Sequence, residues 1–579
     1  MKLIEALQVA SEAKTRPPRD YVFLVCGFEP LHLTTFLQAH YAERFADRSL
    51  KVSTGLYGDL VGNAMRAADE ADETTTGMAL VLEWGNLDPR LGVRSVGPWG
   101  GAKEADVLSD VGEKLSRLRD AVDRISARFP IAICPPTLPL LLGGQTRPVQ
   151  DNPFELTLRS AMSSFLRDLA NDAHVSIVSQ DQLAISSAVS LRHDIRSELG
   201  TGFPYRLPHA STLADSLLTL LFPPEPKKAL ITDLDDTLWR GLVGEVGAQG
   251  VGWAQDQGAQ VHGLYQSLLQ QLFEMGVLIG VATKNDPESV EAALRRDDLL
   301  LDPKAPFPIC ASWGDKSLGI ARCLKTWNIS ATDTVFVDDS PLELDLARRA
   351  FPALTCLRFD PLDPPSVMQL LVRLRSLFGR RLVTEDDRSR AASVRAGAAF
   401  EATRSVGVDG ASFLRELKGE LAFARDTSVD PVRGLQLLNK TNQFNLNGLR
   451  LNETEWRGYL AGGERFVLSV DYRDRYGPLG TVGVATGTRG AECLVIEHWV
   501  LSCRAFSRNI EHHMLQALLE LAEGRELEFE YVQTARNAPV RRFFESIALA
   551  PTNQETFRLS QTQVAAALDG GLPHELRST

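Results

Sequence analysis

Short apolar runs recur along this chain, each followed by a longer amphipathic stretch, and that alternation leaves few folds open. In the first part the runs are "YVFLVC", "LKVST", "ALVLEW", "PIAIC" and "VSIVS". They are short and apolar at neighbouring positions, as strands are when both faces of a sheet are covered. Helical stretches such as "DVLSDVGEKLSRLRDAVDRISARF" lie between them. Parallel strands need a crossover, usually a helix, so the pattern reads as an α/β layer fold around a parallel sheet.

The pattern then starts again. "KALIT", "VLIGVA", "FPICA", "TVFV" and "LTCL" are strand-like, while "QVHGLYQSLLQQLFEMG" and "DPESVEAALRR" are helical. Two stretches look like boundaries: the Pro-rich "FPPEPKK" and the charge-dense "GRRLVTEDDRSRAAS". Beyond the second, "RFVLSVDYRDRYGPLGTVGVATGTRGAECLVIEHWVLS" reads as antiparallel strands and hairpins, with helices around it. The expected class is therefore α/β: two doubly wound parallel-sheet domains over 1–222 and 223–378, then an α+β domain over 379–579. A chain of 579 residues has room for them.

Bulk properties narrow the partners. A net charge of −12 argues against a broad nucleic-acid face. The seven cysteines never form a C-x-x-C pair, which fits free thiols in a reducing cytosol better than disulfides or zinc. The opening "MKLIEALQVASEAKTR" has no continuous apolar core of a signal peptide, and "LPLLLGG" and "SLLTLLF" are too short to span a bilayer. A soluble cytoplasmic protein with no membrane or nucleic-acid partner is expected.

Chemistry concentrates in the middle part. "ITDLDDTLWRG" places Asp233, Asp235 and Asp236 directly after an apolar strand, and buried carboxylates are costly unless something pairs with them. Thr283 and Asn285 follow "VLIGVA", Lys316 follows "FPICA" within "SWGDKS", and Asp338 and Asp339 follow "TVFV". In a parallel sheet such loops meet at one edge. Several carboxylates, one lysine and one hydroxyl in a single crevice call for a divalent cation, and oxygen-only ligands suit Mg²⁺. Asp233, Asp235 and Asp338 are the expected metal ligands. Asp233 is placed to act as carboxylate nucleophile on phosphorus, and Asp235 as general acid–base. Thr283 and Lys316 would complete the catalytic set by binding phosphoryl oxygens and balancing charge. Taken singly each has a plainer reading: a helix cap or turn for the Asp cluster, a turn threonine, a solvated lysine, and helix-start acids for Asp338 and Asp339.

The order D-x-D-x-T, then Thr, Lys and Asp-Asp, resembles the haloacid dehalogenase (HAD) superfamily. "DLDDTLWRGLVGEVG", "TKND", "WGDKS" and "VFVDDSPLELD" resemble its FkbH-like branch, as do "LLNKTNQFNLNGLRL", "DRYGPLG" and "LSCRAFSR" further on. The resemblance implies Mg²⁺ as cofactor and Thr283, Lys284, Asn285, Lys316 and Asp339 around the substrate. It implies removal of phosphate from a unit derived from 1,3-bisphosphoglycerate, and loading of a three-carbon acyl group onto an acyl carrier protein for polyketide-type assembly. One departure stands out: Ala282 occupies the place where many members carry a cysteine, leaving Cys503 as the matching thiol. The last part resembles the N-acetyltransferase (GNAT) fold. There Cys503, Arg504 and Arg508 form a possible thiol or phosphopantetheine site, with a buried small residue and ordinary surface charge as the plainer readings. Asn537 reads as a helix-start residue.

The first part resembles the SGNH-hydrolase-like region of the same family. Gly27 and Phe28 stand where its nucleophilic serine is expected, Gly62 and Asn63 supply no nucleophile, and His209 is a relict base or a surface histidine. That domain is expected to be structural or partner-binding. Two alternatives to carrier loading remain: a HAD phosphatase acting on a small phosphorylated metabolite, and a non-catalytic scaffold that docks a carrier protein.

Overall fold

A computed structural model describes residues 1–72, 74–95, 104–140, 147, 149–380, 383, 387–388, 390–392, 394–395, 398, 414–415, 417–441, 443–475, 477–502, 505, 508–534, 537–547, 556–568 and 572–577. They divide into two compact units, Met1–Glu225 and Pro226–Thr579.

The first unit is built on five strands: β1 (Pro18–Val25), β2 (Ser49–Thr54), β3 (Gly77–Val81), β4 (Ile131–Cys134) and β5 (Val175–Ile177). All pair in parallel, in the order β2-β1-β3-β4-β5. The unbroken apolar runs now have their reason. Along β3, Ala79 and Val81 pack into one buried cluster while Met78 and Leu80 pack into another on the opposite face. Alternate side chains point to opposite faces, so a strand covered on both sides must be apolar throughout.

The second unit repeats this logic with β6 (Ala229–Thr232), β7 (Leu278–Thr283), β8 (Pro306–Ala311), β9 (Thr334–Asp338) and β10 (Thr355–Arg358). They form a parallel sheet in the order β10-β9-β6-β7-β8. Leu230 faces one core, and Ala229 and Ile231 face the other. β6 sits at the centre of this sheet, between β9 and β7. The loop leaving it is therefore flanked by the loops leaving both neighbours.

The same unit carries a mixed sheet of eight strands: β11 (Glu420–Arg425), β12 (Phe444–Asn445), β13 (Arg465–Asp474), β14 (Gly477–Arg489), β15 (Cys493–Leu501), β16 (Glu526–Glu530), β17 (Thr556–Leu559) and β18 (Glu575–Leu576). Long antiparallel ladders join β13 to β14 and β14 to β15, whereas β15 pairs in parallel with β16. That parallel pairing covers Cys493–Ile496 only; at Val500 and Leu501 the partner of β15 is β12 instead. Leu446 accepts from Val532 N at 3.2 Å, so residues 444–446 fill the gap between β15 and the chain leaving β16. The buried Asn537 fixes this wedge: its amide donates to the carbonyls of Asn445 (3.1 Å), Leu446 (3.3 Å) and Val532 (2.8 Å). It is thus a brace across the sheet as well as a residue at a helix start. Among the described residues no helix is long and apolar enough to cross a membrane.

Candidate active site

The central strand β6 ends at Thr232, and Asp233 is the first residue beyond it. Its backbone N–H still donates to Val337 of β9 (2.9 Å), which holds the carboxylate at the sheet edge. β9 ends at Asp338, whose Oδ1 accepts from Ser340 N at 2.9 Å. Lys316 opens the helix Lys316–Trp327, capped by Asp315, whose side chain accepts from Ser317 N at 2.8 Å. The cap aims this lysine into the crevice. Its Nζ lies 2.7 Å from Asp338 Oδ2 and 3.1 Å from Asp233 Oδ1. All three side chains are almost wholly withdrawn from solvent.

One ammonium serves more than two acids here. Asp233, Asp338 and Asp339 each offer a carboxylate oxygen, and these oxygens lie within 4.8 Å of one another. Burial pushes the Asp338 carboxyl up to about 7, with the Asp233 charge adding to it and Lys316 opposing. Burial likewise raises Asp339 to about 6, again with Asp233 contributing. Asp233 is raised by burial, while Lys316 favours its charged form. Burial alone would lower Lys316, but Asp233 and Asp338 outweigh it and keep it charged. The Asp233 carboxylate is met by Lys316 (Nζ 3.1 Å from Oδ1), the Leu234 N–H and the Thr283 hydroxyl, donors that favour its charged form against burial. Three clustered carboxylates thus face a single ammonium, and the site has too little positive charge. Hard oxygen donors at that spacing fit Mg²⁺, held by Asp233, Asp338 and Asp339.

Asp235 stands apart from this trio, though the sequence had suggested it as a metal ligand. Its Oδ1 accepts from the Trp239 indole N–H (2.8 Å) and Val243 N (3.1 Å), and its Oδ2 accepts from Asn285 Nδ2 (3.0 Å). The third carboxylate of the cluster is Asp339, expected only beside the substrate. Asp236 is not part of the acidic cluster. It takes a left-handed backbone (φ 51°) and its Oδ1 caps Gly241 N at 2.8 Å, so it shapes the loop.

The remaining expected residues divide. Thr283 is the last residue of β7 and buried, with its hydroxyl accepting from Asn285 Nδ2 at 3.0 Å. Asn285 thus ties Thr283 to Asp235 and acts as a positioning residue. Lys284 leans away, its Nζ 2.7 Å from Glu343 Oε1 on the helix Pro341–Ala350 that follows β9. Trp239 and Glu343 were not anticipated as parts of this constellation. Trp239 had a signal, since a tryptophan four residues after a loop aspartate can reach back to it. Glu343 had none. Because Asp235 is held by three donors beside the cluster, Asp235→Asn is expected to slow turnover by ~10²–10⁴ while the fold persists. Steady-state phosphate release checks it.

The expected thiol and pantetheine site is only partly visible. Cys503 and Arg504 lie outside the described residues. Arg508 is described, and its plainer reading as ordinary surface charge fails: its side chain is buried and its Nε donates to Asp474 Oδ2 at 3.2 Å. A buried guanidinium needs a buried counter-charge, and Asp474 provides it. The pairing joins Asp474 of "DRYGPLG" to Arg508 of "LSCRAFSR", and Phe444 and Asn445 of "LLNKTNQFNLNGLRL" pair with Leu501 and Val500 at the end of β15.

In the first unit, His209 is neither surface histidine nor base. It is buried, with Nε2 3.0 Å from Thr137 Oγ1 and Nδ1 2.9 Å from Ser187 Oγ. Asn63 is also structural, its amide donating to the carbonyls of Cys26 and Leu56. Burial depresses the His209 pKa to about 3. An unfolded histidine titrates near 6.5, so the unfolded chain binds the extra proton first as pH falls. Stability is fully present above ~6.5 and declines toward pH 3, by up to ~1.4 kcal/mol per pH unit. Urea midpoints across that range should flatten in His209→Asn relative to the parent.

No protein-family model matches the chain, and no curated protein sequence matches it. Among solved structures, it is similar to the N-terminal part of BF1531 from Bacteroides fragilis, described as containing a phosphatase domain and complexed with Mg. The match has 17% identity and a TM-score of 0.51, over 65% of this chain and 98% of that one. An extracellular lipase from Streptomyces rimosus matches with 13% identity over 34% of this chain and 98% of that one, with a TM-score of 0.26. Phospholipase A1 from Streptomyces albidoflavus matches with 11% identity over 35% and 98%, also at 0.26. The first match shows a shared fold; the other two scores are too low to bear on it.

Proposed function

We propose that the chain is a Mg²⁺-dependent phosphoryl-transfer enzyme of the HAD type, with Asp233 as nucleophile. The observation that carries this reading is the cluster itself: Asp233, Asp338 and Asp339 around one buried lysine, at the carboxyl edge of a parallel sheet. The fold likeness to a phosphatase-containing protein complexed with Mg supports it. An Asp233 oxygen attacks phosphorus, the bond from phosphorus to the leaving oxygen breaks, and Asp235 supplies that oxygen with a proton. Water then attacks the phosphoaspartate, Asp235 takes its proton, and the bond to Asp233 breaks to release phosphate. Lys316 holds charge against the phosphoryl oxygens, and Thr283 offers its hydroxyl. Mg²⁺, when bound by the three carboxylates, supplies the positive charge this site lacks.

The finer reading rests on the sequence resemblance: transfer of a three-carbon acyl unit from 1,3-bisphosphoglycerate to an acyl carrier protein. A plain phosphatase is the second reading, and Ala282 favours it. Ala282 packs into the apolar core with Ile320 and Cys323, so β7 presents no thiol to the crevice. Incubation with Mg²⁺, 1,3-bisphosphoglycerate and candidate holo-carrier proteins, followed by intact-mass analysis, separates the readings. A glyceryl adduct on a carrier supports loading, phosphate release alone supports the phosphatase, and neither supports a scaffold. If loading occurs, direct attack by the carrier thiol is expected. Cys503→Ala should then leave transfer largely intact, and enzyme trapped without carrier should bear no glyceryl group. A stable adduct lost in Cys503→Ala together with activity would defeat direct attack.

A further inference from the structure

The first unit contains a cavity of about 270 Å³ that the proposed chemistry does not use. It lies where a doubly wound sheet offers a binding crevice. With strand order β2-β1-β3-β4-β5, the chain turns outward in opposite directions from β1 and β3. Ligands of such sheets bind beyond the carboxyl ends of the strands at that switch point. Gly27 and Phe28, just past β1, and Glu83 to Asn86, just past β3, line the cavity.

Its floor is rigid. The buried Glu83 carboxylate accepts from Thr137 N (3.0 Å), Thr137 Oγ1 (2.7 Å), Leu138 N (3.2 Å) and Tyr205 O–H (2.8 Å). It is thus saturated from within and joins the ends of β3 and β4. Asn86 differs. Its Oδ1 is buried and accepts no hydrogen bond from the chain. Its amide lies close over Gly27, where an added Cβ would come within 2.7 Å of Asn86 Cγ, so glycine keeps that approach open. An orphaned amide end in a crevice is costly until a bound group meets it.

Charge and walls define that group further. Asp88 is paired with Arg90, and Glu198 with His193. Arg94 and Lys114 also line the cavity, and neither forms an ion pair within 4 Å among the described residues; the Arg94 guanidinium donates to the Glu198 carbonyl and lies over the Tyr57 ring, and Lys114 acts on the Asp88 carboxylate only at longer range. Phe28, Trp84 and Leu91 supply buried apolar wall. Cys26, beside the crevice, has its thiol pushed up to about 12 by burial and donates to the Phe28 carbonyl, so it is no nucleophile.

We propose that this crevice binds, without reacting with it, a small organic anion that carries a hydroxyl or amide N–H beside an apolar body. The anion meets Arg94 and Lys114, the polar hydrogen meets Asn86, and the apolar body meets Phe28 and Trp84. Isothermal titration calorimetry on the full chain tests it with three probes: 2-hydroxy-4-methylpentanoate, its uncharged amide, and 2-hydroxy-4-methylpentyl phosphate. Saturable binding of either anion, with the amide at least about ten-fold weaker, is expected. The two anions tell a carboxylate from a phosphate ester. Asn86→Ala and, separately, the Arg94→Ala/Lys114→Ala pair should each weaken binding about ten-fold at an unchanged melting temperature. Asp233→Asn should bind as the parent does, which separates this site from phosphoryl transfer. Binding of none of the probes, or binding indifferent to both sets of substitutions, would overturn the proposal.

Discussion

Asp233→Asn is expected to stop phosphate release while the protein stays folded. The amide has the shape of the carboxylate but neither its negative charge nor its nucleophilicity, and it is a weaker ligand for a hard cation. The site tolerates the change because Lys316 keeps its 2.7 Å contact with Asp338. It also relieves a strain, since the Asp233 charge is among the causes that raise Asp338 and Asp339. The melting temperature without metal should therefore hold or rise while turnover falls to background. Rapid quenching of the parent with substrate should trap a phosphoryl mass adduct that the variant lacks. Turnover within a few-fold of the parent would remove Asp233 from the nucleophile role.

Lys316→Met should impair both stability and activity. The substitution keeps a long apolar stem but leaves Asp233 and Asp338 buried with no cation beside them. Removing one partner from a buried charge set costs about 3–5 kcal/mol, mostly because the survivors remain unpaired. The Lys316 pKa is raised in the fold, so the stability it confers is fully present at neutral pH and is lost only in alkali. Two conditions should restore the variant. Below pH 6 protons neutralise Asp338 and Asp339, whose carboxyls burial pushes up to about 7 and about 6 even with Lys316 opposing. Near pH 7.5, Mg²⁺ should supply the missing charge. Urea unfolding at pH 5 and 7.5, with and without Mg²⁺, measures both, and a deficit equal under all four conditions would show that Lys316 contributes packing rather than charge.

The sheets of the first two parts were legible because strands covered on both faces are written as unbroken apolar runs. The runs "ALVLEW" and "TVFV" map onto β3 and β9 within a few residues. The short β12 and β18 were not legible. Neither carries a pattern of its own, and each exists because a distant strand, β15 or β11, offers it an edge. At the candidate site, Asp233, Thr283, Lys316 and Asp338 could be placed because each follows a strand, and the topology does the rest. Where side chains point was not legible. Asp235 and Asp339 sit at the expected positions, yet the hydrogen bonds of Trp239, Val243 and Asn285 turn Asp235 aside from the acidic cluster while Asp339 joins it. Arg508 went unrecognised as a buried residue because its counter-charge, Asp474, lies 34 positions earlier. His209 was misread for a similar reason, since the hydroxyls that satisfy it come from two other loops.

The contact between Trp239 and Asp235 gives the site a built-in spectroscopic reporter. The indole is fully buried, and its single N–H points at one carboxylate oxygen. The resonance of that proton, and the emission of that ring, depend on whether the oxygen carries charge. Under the proposed acid–base role of Asp235, each proton it gave or took would be transcribed into the signal of a core residue, so that role can be tested without a label and without altering any group at the site.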